Sequence, residues 1–477
     1  MSGPATDISG LRVSSRSYWL DEALRTDPGD SCPGLTENLA ADVCIVGGGF
    51  AGLWTAYELT EREPSLQIVL LEADICGSGG SGANGGMFSG SWHDINALCR
   101  FFGEAEGIHY ATLLADQLDE VEQWTARHKA NIDYHRDGVL FAQAEKWQAG
   151  PNYEAMGRLA AHGLADKMKP VDAAAAQGIA ASPRFCGGAF VGDLAVVQPA
   201  RLARELRRVL LERGVRIFEG TPMLELQPGV PASVRTPRGV VRADQVVIAM
   251  GAWAVSQPQF SRAFFVATDY MVITEPIPDR LEKIGWTSYA GIGDSRENFY
   301  YLRRTDDGRI AIGGGSVGVA YADRIRGTVL TSAKKAAVAA NGLTWLFPQL
   351  RGVRFAQAWS GPMDLTAAFV PFFATNATGN VHAGLGFSGH GLAATKLGGK
   401  TLASLVLHAD DEWSRLPVVG PPLSQLPPEP LRWPLLQAVV WAVDSGDRAQ
   451  ERGRRRGALR GLVASSVTAY RESRRRR

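Results

Sequence analysis

Apolar residues along this chain fall into short continuous runs and longer amphipathic stretches that follow one another in a fixed succession. Val43–Val46 leads into a glycine turn, Gly47-Gly48-Gly49-Phe50-Ala51-Gly52, and then into a helix-like stretch opening Leu53-Trp54-Thr55-Ala56. A second run, Ile68–Leu71, is closed by Glu72, 20 residues past Gly52. Short apolar runs read as strands buried on both faces, and the segment between them as a helix. Leu113, Leu114, Leu118, Val121 and Trp124 predict another helix, and Gly138–Phe141 a strand. Pro199 opens an amphipathic helix with Leu202, Leu206, Val209 and Leu210 on one face; Gly214 ends it and Val215–Phe218 follows as a strand. Ala232–Thr236 and Val240–Ala243 flank Pro237-Arg238-Gly239 as a hairpin, and Val246–Met250 is a buried strand running into Gly251. Residues 270–315 pattern as antiparallel sheet, with Phe299–Leu302 and Arg309–Ile312 joined by Thr305-Asp306-Asp307-Gly308. Residues 326–347 return to helix, and the glycine-dense stretch Val381–Leu392 precedes a helix from about Ala393 to Leu407.

This succession predicts an α/β fold: a Rossmann-like dinucleotide-binding domain in separated pieces, interleaved with an α+β substrate domain built on antiparallel sheet. The expected division is a polar arm over 1–40, nucleotide-binding pieces over 41–115, 196–262 and 351–410, substrate-domain pieces over 116–195 and 263–350, and a C-terminal extension over 411–477. A chain of 477 residues exceeds one simple core, which agrees with two domains.

The chemistry concentrates in the glycine turns. Gly47 permits a tight strand-to-helix turn, Gly49 lets backbone approach a pyrophosphate, and Gly52 lets helix pack on strand. Phe50 and Ala51 start the helix whose free N–H groups face the phosphates, and Glu72 would accept hydrogen bonds from a ribose. The small-residue loop Gly77–Gly86 follows the second nucleotide strand directly. Ser81, Asn84, Gly85, Gly86 and the adjoining Met87 therefore read as cofactor contacts rather than a linker. The second glycine-dense turn, with Gly386, Ser388, Gly389, His390, Gly391 and Leu392, again offers helix N–H groups to an anion.

Composition narrows the reading. The chain is 45% hydrophobic with a net charge of +1, ordinary for a globular protein. Its five cysteines are scattered without a CxxC pair, so neither a disulfide framework nor a zinc site is expected, and no metal is assigned. The first 30 residues show no secretory signal, and the late apolar stretch Leu435–Val443 is too short to span a bilayer, so a cytoplasmic protein is expected. Residues 447–477 carry 11 Arg against three acids. Tyr470 is the one aromatic residue among these arginines, so there is no pattern of interleaved aromatics, nucleic acid is not expected as a partner, and a solvated or self-packed tail is preferred over membrane contact.

The fingerprint, Ser81-Gly82-Ala83-Asn84-Gly85-Gly86, Val247–Trp253 and Gly386-Phe387-Ser388-Gly389-His390-Gly391 occur in this order. Together they resemble the FAD-dependent D-amino-acid oxidase superfamily, which includes glycine and sarcosine oxidases. Ser17-Tyr18-Trp19-Leu20-Asp21 ahead of the fingerprint is similar to the gamma-glutamylputrescine oxidase branch. The resemblance implies a FAD-binding domain of the glutathione-reductase type. It places Gly47, Gly49, Gly52 and Glu72 on the ADP half of non-covalent FAD, Val215 against adenine, and Gly251 and Trp253 beside the cofactor. Gly389–Leu392 fall at the flavin pyrimidine edge. It also implies oxidation of an amine or amino acid, with O2 or another electron acceptor, and leaves an amine dehydrogenase as the alternative. Sarcosine oxidases carry a carboxylate-gripping lysine two residues after their Gly-His-Gly; here that residue is Ala393, Lys396 points elsewhere on the helix, and no arginine follows Gly86 until Arg100. An amine is therefore expected as substrate. The aromatic candidates for its pocket are Tyr270, Phe299, Tyr300, Tyr301, Trp359 and Phe387, with His390 as a proton acceptor. Alternation sets Tyr300 on the face opposite Phe299 and Tyr301. His93, near the flavin loop, reads as a polar contact rather than a covalent flavin link.

Overall fold

A computed structural model describes residues 11–145, 148 and 150–451. Two sheets organise these residues. In the first, five strands run parallel in the order Val381–Leu385, Val240–Ile248, Leu39–Val46, Ile68–Leu71 and Arg216–Phe218. Their register aligns Ala383, Ile248, Val46, Leu71 and Phe218, so the strands end together at one edge. Parallel strands all present their carboxyl ends on one side, where doubly wound sheets bind ligands. The glycine turn, Glu72, Gly251 and Gly386 all leave the sheet at this edge. Helices Phe50–Arg62 and Gly391–Val406 pack against each other, close enough that a Cβ on Gly399 would lie 2.7 Å from the Trp54 Cβ. The two expected strands at 240–243 and 246–250 are one continuous strand, Val240–Ile248, which pairs with Ala232–Arg235 along its first half and with Val381–Leu385 along its second.

The second sheet carries Val13–Ser14, Phe355–Leu365, Phe265–Thr274, Ile310–Gly314, Tyr300–Arg304, Gly291–Asp294, Val139–Ala142, Gly188–Val191 and Lys169–Val171 in that order. It is mainly antiparallel, as expected, with parallel pairings at Val13–Ser14 against Phe355–Leu365 and at Val139–Ala142 against Gly291–Asp294. Helix Ala333–Leu346 covers its back face through a core that includes Tyr270, Tyr300, Leu343 and Ala358.

Three expectations need correction. Phe355–Leu365, assigned to the third nucleotide piece, pairs along nearly its whole length with Phe265–Thr274 in the second sheet. Residues 104–128 form one uninterrupted helix across the expected boundary at 115, because its buried face is continuous from Tyr110 to Trp124. The N-terminal arm is not irregular throughout: Tyr18–Thr26 is a helix, capped by the Ser17 hydroxyl and burying Trp19, Leu20 and Ala23. Helix Arg432–Glu451 is the last described element, and the arginines beyond it lie outside the described residues. No helix among the described residues is long and apolar enough to cross a membrane.

Candidate active site at the edge of the parallel sheet

Gly47 has φ +115°, and a Cβ there would sit 2.3 Å from the Ala249 carbonyl oxygen. A Cβ on Gly52 would sit 2.0 Å from the Gly47 carbonyl oxygen, so glycine is required at both positions. Gly49 faces Ser81, whose Oγ accepts the Phe50 N–H at 2.8 Å. The Phe50 and Ala51 side chains are buried in the core, leaving only the backbone of the helix start at the site. Glu72 accepts the Gly48 N–H at 2.7 Å through one oxygen and the Asp74 N–H at 2.9 Å through the other. Burial raises its pKa against these two hydrogen bonds. Each carboxylate oxygen keeps a free lone pair, so the pair of oxygens remains able to bind a ribose diol. Gly251, with φ +51°, turns the chain out of the sheet, and Trp253 lies against Gly79 of the small-residue loop.

Three remote side chains anchor that loop. Ser17 Oγ donates to the Gly82 carbonyl at 2.6 Å, Trp359 Nε1 to the Ala83 carbonyl at 2.9 Å, and Trp19 Nε1 to the Asn84 carbonyl at 3.0 Å. The two indoles meet edge to face at 5.8 Å. Asn84 completes the frame from within, donating to the Gly80 and Ser81 carbonyls and accepting the Gly86 N–H. A loop of small residues has little side-chain packing of its own, so these donors fix its shape. Asn84 and Trp359 are therefore structural supports of the loop: Trp359 is fully buried behind it and does not line a pocket.

The second turn is held in the same way. Asp364 Oδ2 accepts the Gly386 N–H at 2.6 Å, and burial lifts its pKa to about 6. Ser388, at φ +54°, turns inward, donating to the Gly386 carbonyl and accepting the Thr366 N–H. His390 is exposed and is the N-cap of Gly391–Val406 without a side-chain cap bond, so the N–H groups of this helix start, including those of Gly391 and Leu392, have no capping side chain. His93 lies 6.0 Å from His390, ring to ring, tilted on Phe141 at 4.6 Å. Burial lowers its pKa, and its Nδ1 has no hydrogen-bond partner among the described residues.

Facing these turns is one row across the second sheet, in which Phe141, Gly293, Tyr301, Gly313, Met271 and Trp359 are successive register partners. A Cβ on Gly313 would lie 2.4 Å from the Tyr301 hydroxyl oxygen, and one on Gly85 would lie 2.8 Å from the Tyr301 ring. Tyr301 thus lies flat on bare backbone, touches the flavin-loop candidate, and donates its hydroxyl to Asp269 Oδ2 at 2.7 Å. Met87 contacts the same sheet face at Gly291. Phe299 is exposed beside Tyr301, whereas Tyr300 faces the opposite core, as alternation required.

Besides Trp359, two further candidates are misplaced. Tyr270 points to the back core, where its hydroxyl donates to the Val329 carbonyl, because it alternates with Asp269 and Met271. Val215 precedes Arg216–Phe218 and so lies at the opposite edge of the parallel sheet; the backbone that reaches Glu72 is that of Phe218, whose carbonyl accepts the Glu72 N–H at 2.9 Å, and of Thr221, whose N–H donates to the Glu72 carbonyl at 2.7 Å. Lys396 is buried between Glu58 and Glu120, at 2.9 Å from each, and is unavailable to a substrate, as its helix position implied. Sequence reasoning passed over Asp269 and Asp364, each a lone carboxylate within an otherwise mainly apolar strand, and over the anchoring roles of Ser17 and Trp19.

The donor set at this edge fits a flavin dinucleotide: two helix starts, a steric cradle only glycine allows, and a carboxylate with lone pairs to spare. The chain is similar to gamma-glutamylputrescine oxidoreductase of Escherichia coli (strain K12), with 28% identity over 82% of this chain and 88% of the relative. Its fold is similar to that of glycine oxidase from Geobacillus kaustophilus, with TM-score 0.66 and 19% identity over 79% of this chain and 96% of that one. It also matches L-proline dehydrogenase from P. horikoshii, with TM-score 0.65 and 18% identity over 80% of this chain and 96% of that one. The sequence pattern of the DAO family, FAD dependent oxidoreductase, matches residues 42–405, and the chain belongs to that family.

Proposed function

We propose that the protein oxidises the C–N bond of a primary or secondary amine to an imine. The amine loses a hydride from the carbon next to nitrogen and a proton from nitrogen. FAD, when bound, accepts the hydride at N5, and its reoxidation by dioxygen yields hydrogen peroxide. Gly47, Gly49, Gly52 and Glu72 would hold the ADP half, and Gly85, Gly86, Trp253 and Ser81, whose Oγ takes the Phe50 N–H, the pyrophosphate and ring. The start of Gly391–Val406 would favour negative charge developing beside it. Tyr301 and His390 border the space left for substrate, and Phe141 keeps its floor apolar, which favours the neutral, reactive amine.

The observation that carries this reading is the disposition of cations. A small amino acid needs a cation for its carboxylate, but the arginines of the sheet are already engaged. Arg303 pairs with Asp133, Arg296 with Asp294 and Arg309 with Asp307, while Arg304 donates to the Trp286 carbonyl. Lys396 is enclosed by two glutamates, and Lys335 sits with Thr268 at Gly318, on the face of the strand opposite Asp269. The sheet face instead presents the carboxylate of Asp269. The similarity to gamma-glutamylputrescine oxidoreductase supports an amine over an amino acid. Anaerobic bleaching of the holoenzyme with a panel of amines and amino acids tests the reading: alkyl amines or acylated diamines should bleach the flavin faster than glycine, sarcosine or D-alanine. Fastest bleaching by glycine or sarcosine would overturn it. Air reoxidation of the reduced enzyme with peroxide formation is the expected result for an oxidase; stable reduced flavin would assign a dehydrogenase.

A further inference from the structure

Strand Phe265–Thr274 reads Phe-Val-Ala-Thr-Asp-Tyr-Met-Val-Ile-Thr, and Asp269 is its one charged residue. The carboxylate lies on the face shared by Met271 and Tyr301, and desolvation raises its pKa. Among the described residues its single side-chain hydrogen bond comes from the neutral Tyr301 hydroxyl, on Oδ2. Asp269 has no ion-pair partner among the described residues. Lys335, the cation that influences it, acts through space only and sits with Thr268 at Gly318, on the strand's other face. Directly across the register is Gly361, whose missing side chain leaves the carboxylate without a neighbour on that strand. The loop beyond is close: a Cβ on Gly361 would lie 3.3 Å from the Ala83 Cβ.

A half-buried carboxylate with one neutral partner keeps acceptor lone pairs open, and such a group is retained where a ligand completes it. The ligand must be a cation. It is not the nitrogen to be oxidised, since a carboxylate stabilises the ammonium form and reaction needs the free amine. We propose that Asp269 and Tyr301 form a cation site that holds the second, non-reacting nitrogen of an unacylated diamine, the one member of the amine class above that carries a distal ammonium. The site rests on the amine-oxidising reading above and specifies its substrate class. Asp269 receives N–H bonds from the distal ammonium. Tyr301 holds the carboxylate in place and, lying flat on Gly313, walls the site on the side of Gly85.

The test uses holoenzyme and two probes without a transferable hydride: a linear diamine whose nitrogen-bearing carbons are fully methylated, and the matching monoamine. Both are titrated by calorimetry. Losing a charge-assisted contact weakens binding roughly ten- to a hundredfold. The diamine should therefore bind at least roughly tenfold more tightly than the monoamine. Asp269→Asn should collapse that ratio to near one, and Tyr301→Phe should reduce it partway, with flavin absorbance confirming that both variants are loaded. If Asp269→Asn does not fold, Tyr301→Phe and the wild-type ratio still decide. A wild-type ratio near one, or a ratio that survives Asp269→Asn, would overturn the proposal. Bleaching by putrescine and n-butylamine separates the two readings. Amines that bleach the flavin while the binding ratio is one sink the cation site alone. A high ratio with no bleaching by any amine sinks amine oxidation and leaves the site standing.

Discussion

Replacing Trp359 by Phe should weaken FAD binding although Trp359 touches no part of the exposed site. The substitution removes the donor to the Ala83 carbonyl, a bond that is buried and 2.9 Å long. An unpaired buried carbonyl costs about 1–3 kcal/mol, and the smaller ring adds a cavity cost on top. The hydrogen-bond term falls on the shape of the loop Gly80–Gly86, because its neighbouring carbonyls at Gly82 and Asn84 depend on equally remote donors. If loop order is needed for binding, the apparent Kd for FAD rises by the fraction of molecules that lose it, up to about 5- to 150-fold for ~1–3 kcal/mol. Cavity cost alone does not have this consequence.

Trp286→Phe is the matched control. Trp286 is as buried as Trp359, stacks on Phe347 at 4.6 Å in the other core, and its indole nitrogen has no hydrogen-bond partner among the described residues. Both substitutions should lower Tm, but only Trp359→Phe, and likewise Trp19→Phe, should raise the Kd measured by fluorescence titration of apoprotein with FAD. Equal Kd shifts in Trp359→Phe and Trp286→Phe, or no shift in Trp359→Phe, would refute the argument that these indoles act through the loop.

Gly49→Val should be isolated without FAD, because its Cβ starts 2.9 Å from Ser81 Oγ and its methyl groups occupy the pyrophosphate approach; a flavin-loaded Gly49→Val by absorbance would contradict this. Lys396→Met leaves Glu58 without its cation, while Glu120 keeps Lys400, and should cost about 3 kcal/mol in urea unfolding, with the KM of the folded fraction for amines staying at the wild-type value. Asp364, raised from 3.8 to about 6 by burial, binds its proton more tightly folded than unfolded. Its contribution to stability therefore declines as pH rises from about 4 to about 6, on the order of 3 kcal/mol in all, and Asp364→Asn should flatten that part of the stability–pH curve. Acid precipitation of the holoenzyme should release the yellow colour into the supernatant, and a yellow pellet would implicate His93 in a covalent link.

The glycine turns were legible in the sequence because each glycine answers a local steric demand. Gly47, Gly52 and Gly386 need bare backbone for reasons set by neighbours within one strand-to-helix unit or directly beside it. The loop anchors were not legible, since Trp19 and Trp359 act on carbonyls 65 and 276 residues away and nothing near them in the chain marks that destination. Aromatic identity misled at Tyr270 and Trp359 for a related reason. A core and a pocket accept the same side chains, and the face of the strand decides between them. Alternation did settle Tyr300 against Tyr301, and the same logic applied to Phe265–Thr274 separates Tyr270 from Asp269. Val215 shows a different limit: an apolar run marks a strand without marking which end meets the ligand, whereas the parallel register assigns the site to the end at Phe218. The lone carboxylates were the strongest unused signal. Asp269 and Asp364 interrupt strands that otherwise bury their side chains, and a charge survives in such a place only with partners. Asp364 has backbone N–H groups from the turn it holds. Asp269 has one phenol, and the missing cation is what the substrate would bring.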